Sequence, residues 1–247
     1  MTALTVVLHG FTGDAASMGA VTSGLRGPVE AIDLAGHGPG PHPADAGVYS
    51  IDAMAEAVAG RHGEPVHLVG YSMGGRVALT AACRFPDKVR SLALIGASAG
   101  IADADERRER AAADDRLAEL IESDLEAFVD QWMANPLFAT QSRLGPGFLA
   151  AARTQRLGND PAALARSLRA NSTGRMRPLH DVLADCAMPV ALIAGADDAK
   201  FVGIAHELAA SLPAATVHVI DDAGHAVHLE QPDAVVAVVE ATQARVR

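Results

Sequence analysis

Six short runs of aliphatic and β-branched residues punctuate the chain, at 3–9 (ALTVVLH), 29–34 (VEAIDL), 66–71 (VHLVGY), 91–96 (SLALIG), 189–195 (PVALIAG) and 216–221 (TVHVID). None alternates cleanly between apolar and polar positions, the pattern of strands covered on both faces. Stretches with helical spacing fall between them, near 14–25, 51–62, 74–85, 202–211 and 232–245. Strand–helix alternation of this kind predicts an α/β fold with a doubly wound, mostly parallel sheet. The alternation lapses once. Residues 100–186 carry only helical segments, among them 114–132 and 161–170, and read as a lid inserted between two parts of the core, 1–99 and 187–247. The Gly/Pro-rich stretch 36–47 (GHGPGPHPADAG) must be an irregular loop.

Composition narrows the picture. A chain of 247 residues, 49% apolar, suffices for one large domain with an insertion or for two small ones. Its formal charge of −10 repels nucleic acid and anionic membrane surfaces. An anionic substrate would therefore need a local cluster of arginines. No apolar run approaches the ~18 residues of a membrane span, and the N-terminus lacks the basic region of a signal peptide. A soluble, cytoplasmic protein is expected, with Cys83 and Cys186 as buried, reduced thiols. Oligomeric state is not legible.

The candidate chemistry starts at Gly70-Tyr71-Ser72-Met73-Gly74, a G-x-S-x-G between a buried strand and a helix, the context of a nucleophile elbow. Bulk two positions from the serine would collide in so sharp a turn, and the following helix aims its free N–H groups at Ser72. A serine hydroxyl needs a histidine to take its proton and an acid to orient that histidine, in the chain order Ser, acid, His. GADDAKF after the fifth strand offers Asp198, with Asp197 as the alternative; DDAGHAVHLE after the sixth offers His225, with His228 one turn on as a packed or capping residue. Oxyanion donors are expected at the backbone of Met73 and of Phe11, in the LHGF turn after the first strand. No Walker loop, GxGxxG or HExxH occurs, so no nucleotide or metal site is expected.

At these residues the chain resembles the α/β-hydrolases. LHGFTGD, DLAGHG, GYSMGGRVAL, GIADADERRERAAADDRLA, WMANPLFA, RSLRANSTG, GADDAKF and AGHAVHLE together are similar to the 2-succinyl-6-hydroxy-2,4-cyclohexadiene-1-carboxylate (SHCHC) synthases of menaquinone biosynthesis. The triad motifs mark only the superfamily; the lid pieces and DxKF mark the branch. The resemblance implies a lyase without metal or organic cofactor, in which Ser72, His225 and Asp198 remove a proton beside a ketone and pyruvate is expelled. It also implies a small-molecule polycarboxylate substrate, bound by Arg76, Arg110 and Arg156 within an aromatic wall of Tyr71 and Trp132. Charge count does not single these arginines out, and Arg107 and Arg108 read as solvated face residues.

Two departures from the family pattern stand out. The usual N-terminal hairpin is missing, so six strands in the order 2-1-3-4-5-6 are expected, with 29–34 as an edge. Arg175, Arg177 and His180 follow STG where the family has a glutamine and an aromatic, and either add carboxylate contacts or mark a different substrate. The motifs leave three readings open: the lyase, a serine hydrolase acting on an ester or a C–C bond, and a non-catalytic ligand-binding protein of the same fold.

Overall fold

The computed structural model describes residues 3–246. Six strands, β1 (Thr5–Leu8), β2 (Val29–Ile32), β3 (Val66–Tyr71), β4 (Val89–Ile95), β5 (Val190–Gly195) and β6 (Ala215–Ile220), form one sheet. Their order is β2-β1-β3-β4-β5-β6 and every pairing is parallel. Helices α1 (Gly19–Gly24), α2 (Ile51–Gly60) and α3 (Met73–Arg84) belong to the first part of the chain. Between β4 and β5 lie α4 (Ala104–Ser123), α5 (Leu125–Met133), α6 (Pro146–Leu157) and α7 (Pro161–Asn171). The chain then continues through α8 (Ala199–Ser211), α9 (Val227–Glu230) and α10 (Pro232–Gln243).

Successive side chains on a strand point to opposite faces. Val6 and Leu8 of β1 join Leu68, Leu94 and Leu192 against α2 and α3, whereas Val7 joins Val69, Ile95 and Ile193 against α10. Both faces are covered, which is why the central strands show no polar alternation. The edge strands depart from that expectation. The residues of β2 are half-buried, and Val219 of β6 is 43% exposed. An edge strand has a neighbour on one side only, so its periphery meets solvent.

The single helix expected at 114–132 is two. Asp124 leaves helical geometry (φ −156°, ψ 86°), and its carboxylate accepts the Ala127 N–H at 2.9 Å, capping α5. Residues 14–25 open instead with a 3₁₀ turn at Ala15–Met18. Cys83 and Cys186, far apart in sequence, are free thiols whose sulfurs lie 2.8 Å apart, Cys186 buried and Cys83 half-buried.

Because the strands are parallel, every strand-to-helix turn falls at one edge of the sheet. Strand order reverses between β1 and β3, so the helices leave in opposite directions and open a crevice at the carboxyl ends of those two strands. The LHGF turn and Ser72 both flank this crevice.

Candidate active site

Ser72 links β3 directly to α3 with φ 49° and ψ −107°, a sparsely populated backbone state for a residue with a side chain. Its N–H donates to the Ile95 carbonyl at 2.8 Å and its carbonyl accepts the Arg76 N–H at 3.0 Å, so β4 and α3 hold the turn from both sides. The flanking glycines leave no room for substitution. A Cβ on Gly74 would lie 2.5 Å from the Leu8 and His9 carbonyl oxygens, and one on Gly70 would press into the Gly74 carbonyl.

The three sequence-predicted relay residues meet. Ser72 Oγ stands 3.3 Å from His225 Nε2, and His225 Nδ1–H donates to Asp198 Oδ2 at 2.8 Å. The first distance is long for an O–H···N hydrogen bond, as is common in sites without substrate. Asp198 is fixed twice over, since its other oxygen accepts the Phe201 N–H at 3.2 Å and caps α8. Asp197 points elsewhere and accepts from Arg143 at 2.7 Å. Ring centroids of Phe201, Tyr71 and Phe138 lie 4.5, 5.4 and 6.0 Å from that of His225, walling the imidazole on several sides.

Met73 is the first residue of α3, where a backbone N–H has no intrahelical acceptor. Phe11 lines the same cavity. Its turn is pinned by His9, whose Nδ1–H donates to the Gly10 carbonyl at 2.8 Å while Nε2 accepts the Leu34 N–H at 3.0 Å. Full burial lowers the His9 pKa and favours this neutral form. Phe11 also packs against Trp132 (5.4 Å) and Phe128 (6.4 Å), joining the turn to α5.

A cavity of about 160 Å³ opens above the serine, and Arg76 and Arg110 both line it. Arg76 donates to the Asn171 carbonyl at 2.6 Å, and among the described residues it forms no ion pair. Desolvation lowers its pKa to about 10, with repulsion from Arg110 adding and Asp114 opposing, so it stays charged at neutral pH. Arg110 spends Nε on the buried Asp114 carboxylate (2.9 Å), which also accepts from Ser172 Oγ at 2.7 Å. Its terminal nitrogens have no protein acceptor among the described residues.

Arg156 is placed differently. It lines a second cavity of about 380 Å³, which adjoins the first and shares Phe11, Tyr71, Trp132 and Phe138 with it. Arg76 and Arg110 thus line the serine cavity, and Arg156 its neighbour. Burial lowers the Arg156 pKa and raises that of Tyr71. The post-STG residues do not reach the serine cavity either: Arg175 pairs with Asp115 at 2.7 Å, and Arg177 and His180 are exposed. Sequence reasoning passed over Lys200 and Phe138, which line the cavity from within the quoted motifs GADDAKF and WMANPLFA.

His228 packs against Tyr71 with the rings tilted by 41° and their centroids 4.0 Å apart, and burial, with His225 and Arg156 nearby, lowers its pKa to about 3. The unfolded chain takes up this proton below about pH 6.5, whereas the folded protein refuses it until about pH 3. Stability is therefore complete above the unfolded value and falls as pH drops between the two, by roughly 2 kcal/mol from pH 7 to pH 5. His228→Phe keeps a ring on Tyr71 and should flatten the pH dependence of the unfolding free energy from urea titrations by that amount. Identical slopes in variant and parent would refute the assignment.

A sequence profile of the alpha/beta hydrolase family matches residues 5–238. A Bacillus subtilis (strain 168) protein provisionally named 2-succinyl-6-hydroxy-2,4-cyclohexadiene-1-carboxylate synthase is 38% identical over 233 residues, 92% of this chain and 85% of that protein. The synthase of that name from Enterobacter sp. (strain 638) is 35% identical over 94% of this chain and 88% of its own length. The solved structure of MenH from S. aureus covers 99% of this chain and 94% of its own, with a TM-score of 0.93 and 30% identity. No helix among the described residues is long and apolar enough to cross a membrane.

Proposed function

This chain belongs to the alpha/beta hydrolase family, and from that premise we propose that it is a cytoplasmic carbon–oxygen lyase which eliminates pyruvate from 2-succinyl-5-enolpyruvyl-6-hydroxy-3-cyclohexene-1-carboxylate to give SHCHC. One observation carries the reading beyond the fold: two arginines, the desolvated Arg76 and the more exposed Arg110, share the cavity of the Ser72–His225–Asp198 relay. An ester pocket has no use for such charges. The succinyl, enolpyruvyl and ring carboxylates of this substrate do.

In the proposed reaction Ser72 passes its proton to His225 and removes a proton from the ring carbon beside the succinyl ketone. The backbone N–H groups of Phe11 and Met73 hold the enolate oxygen as charge develops there. Electrons return through the ring double bond, the C–O bond to the enolpyruvyl group breaks, and the leaving group takes the proton from His225. The enol then becomes pyruvate. Asp198 fixes the imidazole tautomer throughout, and α4 to α7 act as a lid over the cavity.

Incubating the protein with this precursor should release pyruvate and a conjugated diene absorbing in the near ultraviolet, well above the spontaneous rate. No acceleration, together with rapid turnover of p-nitrophenyl esters, would replace this reading with a hydrolase. Arg76→Ala should raise KM about 10- to 100-fold through loss of a charge-assisted contact, with a smaller effect on kcat. Unchanged KM in a folded variant would remove Arg76 from the binding site.

A further inference from the structure

We propose that Lys200 is a further carboxylate-binding cation of the serine cavity, beside Arg76 and Arg110. The inference rests on the polycarboxylate reading above and specifies which groups meet the substrate. Lys200 lines the same cavity as Ser72, Arg76 and Arg110, whereas Arg156 lines the adjoining one.

Two features set Lys200 apart from an ordinary surface lysine. It occupies the first turn of α8, where the positive end of the helix dipole disfavours a cation. The nearby acids do not neutralise it either. Asp198 is committed to His225 and to the Phe201 N–H, and Asp197 to Arg143. Among the described residues Lys200 forms no ion pair.

Its ammonium lies 5.9 Å from the Phe201 ring centroid, and that ring is in turn 4.5 Å from the His225 ring. The charge thus stands one aromatic layer from the relay, while the side chain is exposed. This position complements the two arginines. Arg76 is half-buried and held by the Asn171 carbonyl, which suits a fixed, deep carboxylate. A lysine at the mouth is compact, hydrated and free to swing, which suits the carboxylate that arrives last and departs first. Long-range electrostatics make such a group useful. With a formal charge of −10 the protein repels a tricarboxylate, and an unpaired cation at the entrance offsets that repulsion locally.

Steady-state elimination kinetics of Lys200→Ala, Lys200→Arg and Lys200→Glu, at low and at physiological ionic strength, test the proposal. An exposed charge contact of this kind predicts a KM about three- to fivefold higher for the alanine variant, with kcat within about twofold. Arginine should restore KM, and glutamate should raise it further. The fall of kcat/KM with added salt should be shallower for Lys200→Ala than for the parent. Thermal stability should hold or rise slightly, since a cation leaves a helix N-terminus, so weaker binding would not reflect unfolding. Parent-like KM and salt dependence in both Lys200→Ala and Lys200→Glu would overturn the assignment while leaving the lyase reading intact. Failure of the parent protein itself to accelerate elimination would overturn both.

Discussion

Ser72→Ala and His225→Ala should each lower kcat for pyruvate release by at least about 10³-fold, because the members of a proton relay act as one unit. The double variant should be little worse than either single one. Ser72 Oγ lies 3.3 Å from Nε2, so removing either partner abolishes the same transfer. Circular dichroism should show the fold retained. If the double variant instead multiplied the two single losses, the residues would be acting separately and the relay would be wrong.

Asp198→Asn carries the second largest expectation, a fall in kcat of about 10²- to 10⁴-fold. An amide cannot accept the Nδ1–H as the carboxylate does, so the imidazole is left in the wrong tautomer for receiving the serine proton. Asparagine remains a good helix N-cap, so α8 should keep its start and the melting temperature should move little. Asp197→Asn is the matched control: its carboxylate binds Arg143 on the surface, and kcat should stay within about twofold. Reversed effects for the neighbouring pair would exchange their roles and break the geometric assignment.

The contrast between those adjacent acids shows where the sequence stops being informative. Ser72 was legible because two glycines, a buried strand and a helix must coincide to make its turn. The alternation of strands and helices gave the parallel sheet, whereas the strand order came from the resemblance to the α/β-hydrolases. Asp197 and Asp198, by contrast, share one loop and one chemistry. What separates them is the start of α8 and an arginine supplied from residue 143, neither of which is written locally.

The helices between β4 and β5 were harder still. Their apolar faces pack on one another, with Ile121, Phe128, Leu164 and Leu168 in one cluster, so periodicity reports that they pack but not which way each arginine turns. Arg110 therefore reaches the serine cavity while Arg156, of similar appearance in sequence, faces the neighbouring one. The break at Asp124 hid for a related reason, since an aspartate within a charged helix reads as another solvated residue until its carboxylate is seen on the Ala127 N–H. Lys200 was quoted within a family motif yet not assigned, because an exposed lysine carries no signal of its own until the cavity around it is known.

The central claim is that this relay acts as a base toward carbon rather than as a nucleophile toward a carbonyl. Placing deuterium on the ring carbon beside the succinyl ketone tests it most directly. The account predicts a normal primary isotope effect on kcat/KM for pyruvate release and an unmodified Ser72 by intact mass in enzyme quenched during turnover. An isotope-insensitive kcat/KM accompanied by a covalent acyl adduct on Ser72 would contradict it.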